Sequence, residues 1–165
     1  MAIKDAYIAE LKHESGSTKK MLERVPYDNP DWKPDEKSMS LGALACHVAE
    51  IPHWISDIIN IDEFDFQQHY KPNKASSQED LMGVYQENLD KALADLEKMN
   101  DEDLMKIWTV KQGDKIYFQM PKVVAIRGWA FSHLIHHRGQ LSVYLRLLNV
   151  PVPGMYGPTA DESFM

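Results

Sequence analysis

Seven histidines are spread along this chain, and three of them are placed for joint chemistry. His133 and His137 stand four residues apart, the separation at which two side chains leave one face of a helix with Cβ atoms about 5 to 6 Å apart. Two imidazoles so placed fit two positions around one cation, and His47, far upstream, supplies a third if its segment packs against theirs. Three neutral nitrogens leave coordination positions open, the mark of a catalytic rather than a closed structural site, and water in such a position reaches a pKa of about 7. Imidazole donors suit zinc, nickel, copper or iron and disfavour magnesium and calcium. Two better-known signatures are excluded. Leu134 stands where the HExxH motif needs its glutamate, and His47-Val-Ala-Glu50 reverses the Glu-x-x-His order of di-iron bundles.

Helical phase decides whether these rings can meet. At roughly 100° per residue with Val123 as origin, His133 falls at about 280° and His137 at about 320°, inside the sector of Ile126, Ala130, Leu141 and Tyr144. His136 falls at about 220°, on the margin of that sector. With Leu41 as origin, His47 lies at about 240°, beside Ile51 and Leu44. Three inward imidazoles are thus expected. A buried neutral ring without a partner at each nitrogen carries a desolvation cost that a shared cation removes. Histidines that each find separate hydrogen-bond partners are the plainer alternative.

The elements that must position these rings read as four helices. Ile3, Tyr7, Leu11, Thr18, Leu22 and Val25 mark one face of a helix over residues 2–24. Beyond it, Pro26, Pro30 and Pro34 forbid a regular element. Ser40 caps a second helix running to about Ile59, which Pro52 should kink or break. Residues 60–75 show no sustained period. Ser76 and Glu79 resemble a capping box, and Leu81, Val84, Tyr85, Leu89, Ala92, Leu96 and Met99 carry a third helix onward. Residues 107–120 alternate as a short hairpin turning at Gly113-Asp114. Pro121 suits the first turn of a fourth helix that runs to about Leu148 and stops before Pro151. The fold class expected is all-α: a single four-helix-bundle domain over residues 1–165 with long crossover connections and a β-hairpin between helices three and four.

Composition narrows the partners. Eighteen Lys and Arg against 25 Asp and Glu leave a net charge of −7, which argues against nucleic acid, since its ligands concentrate cations on one face. No apolar run reaches the roughly 18 residues that span a bilayer, and the amino terminus lacks a basic stretch followed by an apolar one, so a cytoplasmic protein with no membrane role is expected. The one cysteine, Cys46, has no intrachain partner for a disulfide and reads as a small buried apolar residue.

Around the histidines, Trp54 and Trp129 fall on the metal-facing sectors and can line an apolar pocket or simply pack in the core. Gln140 is placed to reach the back of a ligand ring, whereas Arg138 leaves that face to pair with an acidic residue elsewhere. Glu14 and Glu50 are within reach of a role as proton acceptor or partner of a ligand ring, but charged residues on helices ordinarily belong to solvated faces, and neither is assigned a catalytic part.

The segments Ser38 to Trp54, around His47, and Phe131-Ser-His-Leu-Ile-His-His-Arg-Gly-Gln140 together resemble the DinB family of four-helix-bundle metalloproteins. The tail from Val150 through Gly154 and Tyr156 to Asp161-Glu162 is similar to that family's ending. The resemblance implies a left-twisted bundle and a divalent metal, nickel or zinc foremost with iron also admitted, held by His47, His133 and His137. It further implies a thiol S-transferase that joins a small-molecule thiol of the bacillithiol, mycothiol or glutathione type to a small electrophile, and a homodimer. A metal-dependent hydrolase and a non-catalytic metal-binding stress-response protein remain the alternatives.

Overall fold

The computed structural model describes residues 2–163; the outer ends of the expected domain, at 1, 164 and 165, lie outside the described residues. Helix α1 spans Ile3–Leu22 and buries Tyr7, Leu11, Glu14, Thr18, Met21 and Leu22. Helix α2 spans Leu41–Asn60, with the Ser40 hydroxyl accepting from the Ala43 amide at 3.3 Å as its cap. Pro52 does not break it. The helix continues through it although the proline ring supplies no N–H for the Val48 carbonyl one turn earlier, and Asn88 donates to the adjacent Ala49 carbonyl at 3.2 Å.

Strand β1 (Glu63–Asp65) and the single-turn helix α3 (Phe66–His69) come next. Helix α4 then runs over Gln78–Lys98. Its cap is Ser77, one residue later than the Ser76-Glu79 spacing suggested: the Ser77 hydroxyl accepts from the Asp80 amide at 3.1 Å, and the Asp80 carboxylate reaches back to the Ser76 amide at 3.2 Å. The short aspartate closes this reciprocal pair, and Glu79 stays exposed. After the single turn α5 (Asp101–Leu104), β2 (Ile107–Gln112) and β3 (Lys115–Pro121) form the expected hairpin, with Gly113 at φ +58° in its turn.

The sheet has a third member that the sequence did not announce. β1 lies parallel to β2, pairing Phe64 with Val110, so the strand order is β1-β2-β3. Three residues are too few to show alternation, and the partner strand comes more than forty residues later.

The last long column is not one α-helix. Pro121 ends β3 instead of opening the helix, and the column divides into α6 (Lys122–Ala125), a π-helical stretch (Ile126–Ser132) and α7 (His133–Leu147). Asn149, at φ +57°, closes α7, and the Val150 amide donates back to the Leu145 carbonyl at 2.9 Å, so the chain leaves the helix before Pro151.

The architecture is mostly helical, with this small sheet attached. α2 packs on α4 and on the column ending in α7, and α1 packs on α4 and α7, which sets α1 diagonally across from α2. The connection from α1 to α2 is therefore a crossover, as is the hairpin-bearing one from α4 to α7, while the 61–77 connection joins neighbours. Among the described residues no helix is long and apolar enough to cross a membrane.

Candidate metal centre

The π stretch governs how the last column faces the bundle. Its i→i+5 bonds advance each residue by less than the roughly 100° of an α-helix, so over this stretch the face falls back by on the order of a quarter turn. A phase carried unbroken from Val123 thus misplaces every residue beyond Ser132. In α7 the buried stripe is Leu134, Arg138, Leu141 and Leu145, at spacings of four, three and four. His133 and His137 each precede a member of that stripe by one residue and flank it, half-buried and not in the core. Val123, the chosen origin, is itself only half-buried.

At that flank the column meets α2, and His47, His133 and His137 come together with one nitrogen of each ring within 4.8 Å of the others. Ring centroids lie 5.2 Å apart for His47 and His133, 4.5 Å for His47 and His137, and 4.5 Å for His133 and His137. The Nε2 atoms of His47 and His133 stand 3.1 Å apart. Two ligands of a tetrahedral ion with metal–nitrogen bonds of about 2.0 to 2.1 Å are about 3.3 Å apart, so this pair already has the spacing of a shared edge.

The outer nitrogens are held from behind. His47 Nδ1 lies 2.8 Å from Glu50 Oε1, and His137 Nδ1 lies 2.7 Å from Gln140 Oε1. An N–H at each Nδ1, donated to these oxygens, leaves each Nε2 with its lone pair, the tautomer a metal ligand needs. Burial, reinforced by His137 and His47 beside it, pulls the His133 pKa down to about 4, so this ring is neutral at neutral pH. Burial lowers His137 as well, against the opposing effect of its hydrogen bond to Gln140. Neutral imidazoles in such surroundings are the form that binds cations. His136 is exposed and stays outside the cluster.

Trp54 and Trp129 form the apolar wall. Their rings stack at 5.5 Å, and Trp54 meets His133 edge to face at 4.8 Å. On the other side of His47 lies a cavity of about 380 Å³, bounded by Met39, Ala43, Cys46, Glu50 and Tyr70 among others. Cys46 is buried with its Sγ 3.9 Å from the Tyr27 hydroxyl, and burial pushes its thiol up, which suits a packing residue better than a nucleophile.

Two charged residues belong to the buried frame, contrary to the expectation of solvated faces. Glu50 is 3% exposed and serves as the acceptor behind His47. Glu14, 5% exposed, takes a 2.6 Å hydrogen bond from Arg138. Both had a sequence signal: Glu50 follows His47 by three residues on one helix face, and Glu14 fills the seven-residue gap between Leu11 and Thr18 in the buried stripe of α1.

A bundle whose second and last long helices present three imidazoles to one point, each backed from its own helix or walled by tryptophan, defines a class of histidine-centred helical proteins. The chain belongs to the DinB family, whose sequence profile matches residues 2–163. It is 28% identical over 134 residues to the uncharacterized protein YjoA of Bacillus subtilis strain 168, covering 78% of this chain and 80% of that one. Its fold is similar to the crystal structure of a DinB-like protein from Bacillus cereus ATCC 10987, with a TM-score of 0.71 at 23% identity over 94% of this chain and 98% of that one. The crystal structure of YjoA, described as DinB-like, gives a TM-score of 0.70 at 23% identity, covering 90% and 96% of the two chains.

Proposed function

We propose that His47, His133 and His137 hold one divalent transition-metal cation, zinc or nickel foremost, and that the chain is an enzyme joining a low-molecular-weight thiol to a small electrophile. The observation that carries this reading is the 3.1 Å approach of His47 and His133 Nε2, with Glu50 and Gln140 occupying the outer nitrogens of His47 and His137. The donor set fits the cation: three imidazoles and no carboxylate in the cluster favour a borderline metal over magnesium or calcium. A cation held there would supply the Lewis acidity that favours the thiolate over the thiol, so that no separate base is required. The chain's own residues do the rest. Glu50 and Gln140 fix the orientation of two ligand rings, Trp54 and Trp129 keep water from the His133 side, and the cavity lined by Met39, Ala43 and Cys46 receives an apolar body. In the transfer, the sulfur–carbon bond forms as the leaving group departs with its electron pair, and the thiol proton passes to solvent.

The test is elemental analysis of protein purified without a nickel column, followed by turnover of glutathione, bacillithiol and mycothiol with a chromogenic chloroarene. About one metal per chain is expected for a single three-histidine site, with turnover abolished in His47→Ala and His137→Ala. Turnover that survives both substitutions removes the metal from the chemistry. A metal that raises thermal stability without turnover of any thiol assigns the site instead to tying α2 to α7, the reading favoured by its position across two helices.

A further inference from the structure

The segment over residues 70–75 has no helix or strand and crosses the molecule directly in front of Glu50. The Glu50 carboxylate is shared between this strap and the metal centre. Its Oε1 accepts from His47 Nδ1 at 2.8 Å and from the Tyr70 hydroxyl at 3.4 Å, and its Oε2 accepts from the Asn73 amide at 3.1 Å and from Asn73 Nδ2 at 3.5 Å. Tyr70 and Asn73 wall the 380 Å³ cavity beside His47, and both also wall a second cavity of about 330 Å³ that opens on Trp54. The strap is thus the partition between the two spaces, pinned at one carboxylate by three bonds longer than the one that carboxylate makes to His47.

We propose that Glu50 is a positioning residue that couples closure of the 70–75 strap to occupancy of the three-histidine centre, each stabilising the other. This deepens the metal reading above and rests on it. The coupling comes from the two-sided bonding of one buried carboxylate. An imidazole whose Nε2 is engaged is the stronger donor at Nδ1, so His47 in that state fixes the plane of the Glu50 carboxylate and keeps Oε2 aimed at the Asn73 amide. Conversely, Tyr70 and Asn73 hold the carboxylate where Oε1 meets His47, so that less ordering remains when the ring takes up a ligand role. Linkage requires the two effects to be equal in size.

Hydrogen exchange of the 70–75 backbone, measured on the whole chain with and without one equivalent of Zn(II), tests this directly. Slowing on the order of tenfold on zinc addition is expected, in the range of ordinary coupling between sites. Glu50→Gln should lower zinc affinity by about 10- to 100-fold, the usual effect of losing the acceptor behind a ligand histidine, and should abolish the zinc dependence of exchange. Tyr70→Phe touches no ligand ring; it should weaken zinc binding several-fold while leaving the unfolding midpoint of the metal-free chain unchanged. Stoichiometric zinc binding with unaltered exchange at 70–75 overturns the coupling and leaves the metal reading standing. A chain that binds no zinc overturns both.

Discussion

Arg138 Nη2 donates to Glu14 Oε2 at 2.6 Å, with side-chain exposures of 2% and 6%, and ties α7 to α1 one residue beyond His137. The pair does not stand alone. Arg138 also donates to the Thr18 hydroxyl at 3.0 Å and the Glu14 carbonyl at 3.1 Å, and the Tyr156 hydroxyl of the C-terminal tail bonds both partners. Removing one member leaves the other charged and buried, so Arg138→Met or Glu14→Gln should each cost about 3 to 5 kcal/mol. The double variant should cost much less than the sum of the two. Urea unfolding of the four species in a double-mutant cycle measures this, and additive losses would show that the pair has no joint role.

A cation held by the three histidines as proposed would have a defined thermal signature on removal. A ligand held at 100 times its dissociation constant stabilises the folded state by about 2.7 kcal/mol. At about 2 to 4 °C per kcal/mol for a chain of this size, chelation should lower the melting temperature by roughly 5 to 11 °C. His133→Ala should abolish that chelator effect. Calorimetry with and without a chelator decides it.

Gly113 sits at φ +58° in the hairpin turn and donates its amide to Asp65 Oδ1 at 3.2 Å. A side chain in this left-handed region costs roughly 1 to 2 kcal/mol. Gly113→Ala should therefore lower the unfolding free energy by that amount, while Gly83→Ala, on an α-helix with no atom within 4 Å of the added methyl, should raise it by about 0.5 to 1 kcal/mol. Denaturant melts of both variants provide the comparison.

Asp65 gives the fold an acid-sensitive joint. Its carboxylate accepts from the Gln67 amide at 2.9 Å and from the Gly113 amide, and these bonds, the Gln67 one foremost, hold its pKa below the ordinary carboxyl value. Between the two pKa values the unfolded chain binds a proton that the folded chain does not. The contribution is therefore complete above the unfolded value of about 3.9 and is lost as pH falls through the folded one. Asp65→Asn should be less stable than the parent at pH 6, with the gap closing below about pH 4. Urea midpoints across that range test the sign.

Periodicity carried far in this chain because long helices repeat their burial many times. The stripes of α1 and α4, the Ser40 cap and the turn at Gly113 were all legible from neighbours within a few residues. The i, i+4 spacing of His133 and His137 marked them as a pair, but their approach to His47 is a contact between separated helices. β1 was not, since a three-residue strand is defined by the β2 backbone beside it and not by its own side chains. Nor was the π stretch. Its widened turn rotated the last column and moved the histidines from the expected core to the flank, where a cavity reaches His47.

Local sequence, through backbone preference and the spacing of apolar residues, determined α1, α2, α4 and the hairpin, and placed His133 and His137 four residues apart. Tertiary packing decided what the inward-facing charges would meet. Glu14 and Arg138 are buried because each finds the other across two helices, and Glu50 because His47, Tyr70 and Asn73 supply its donors from three directions. Burial of a charge depends on what stands opposite it, and a single segment of chain shows at most that a position faces inward, not which partner it will find there.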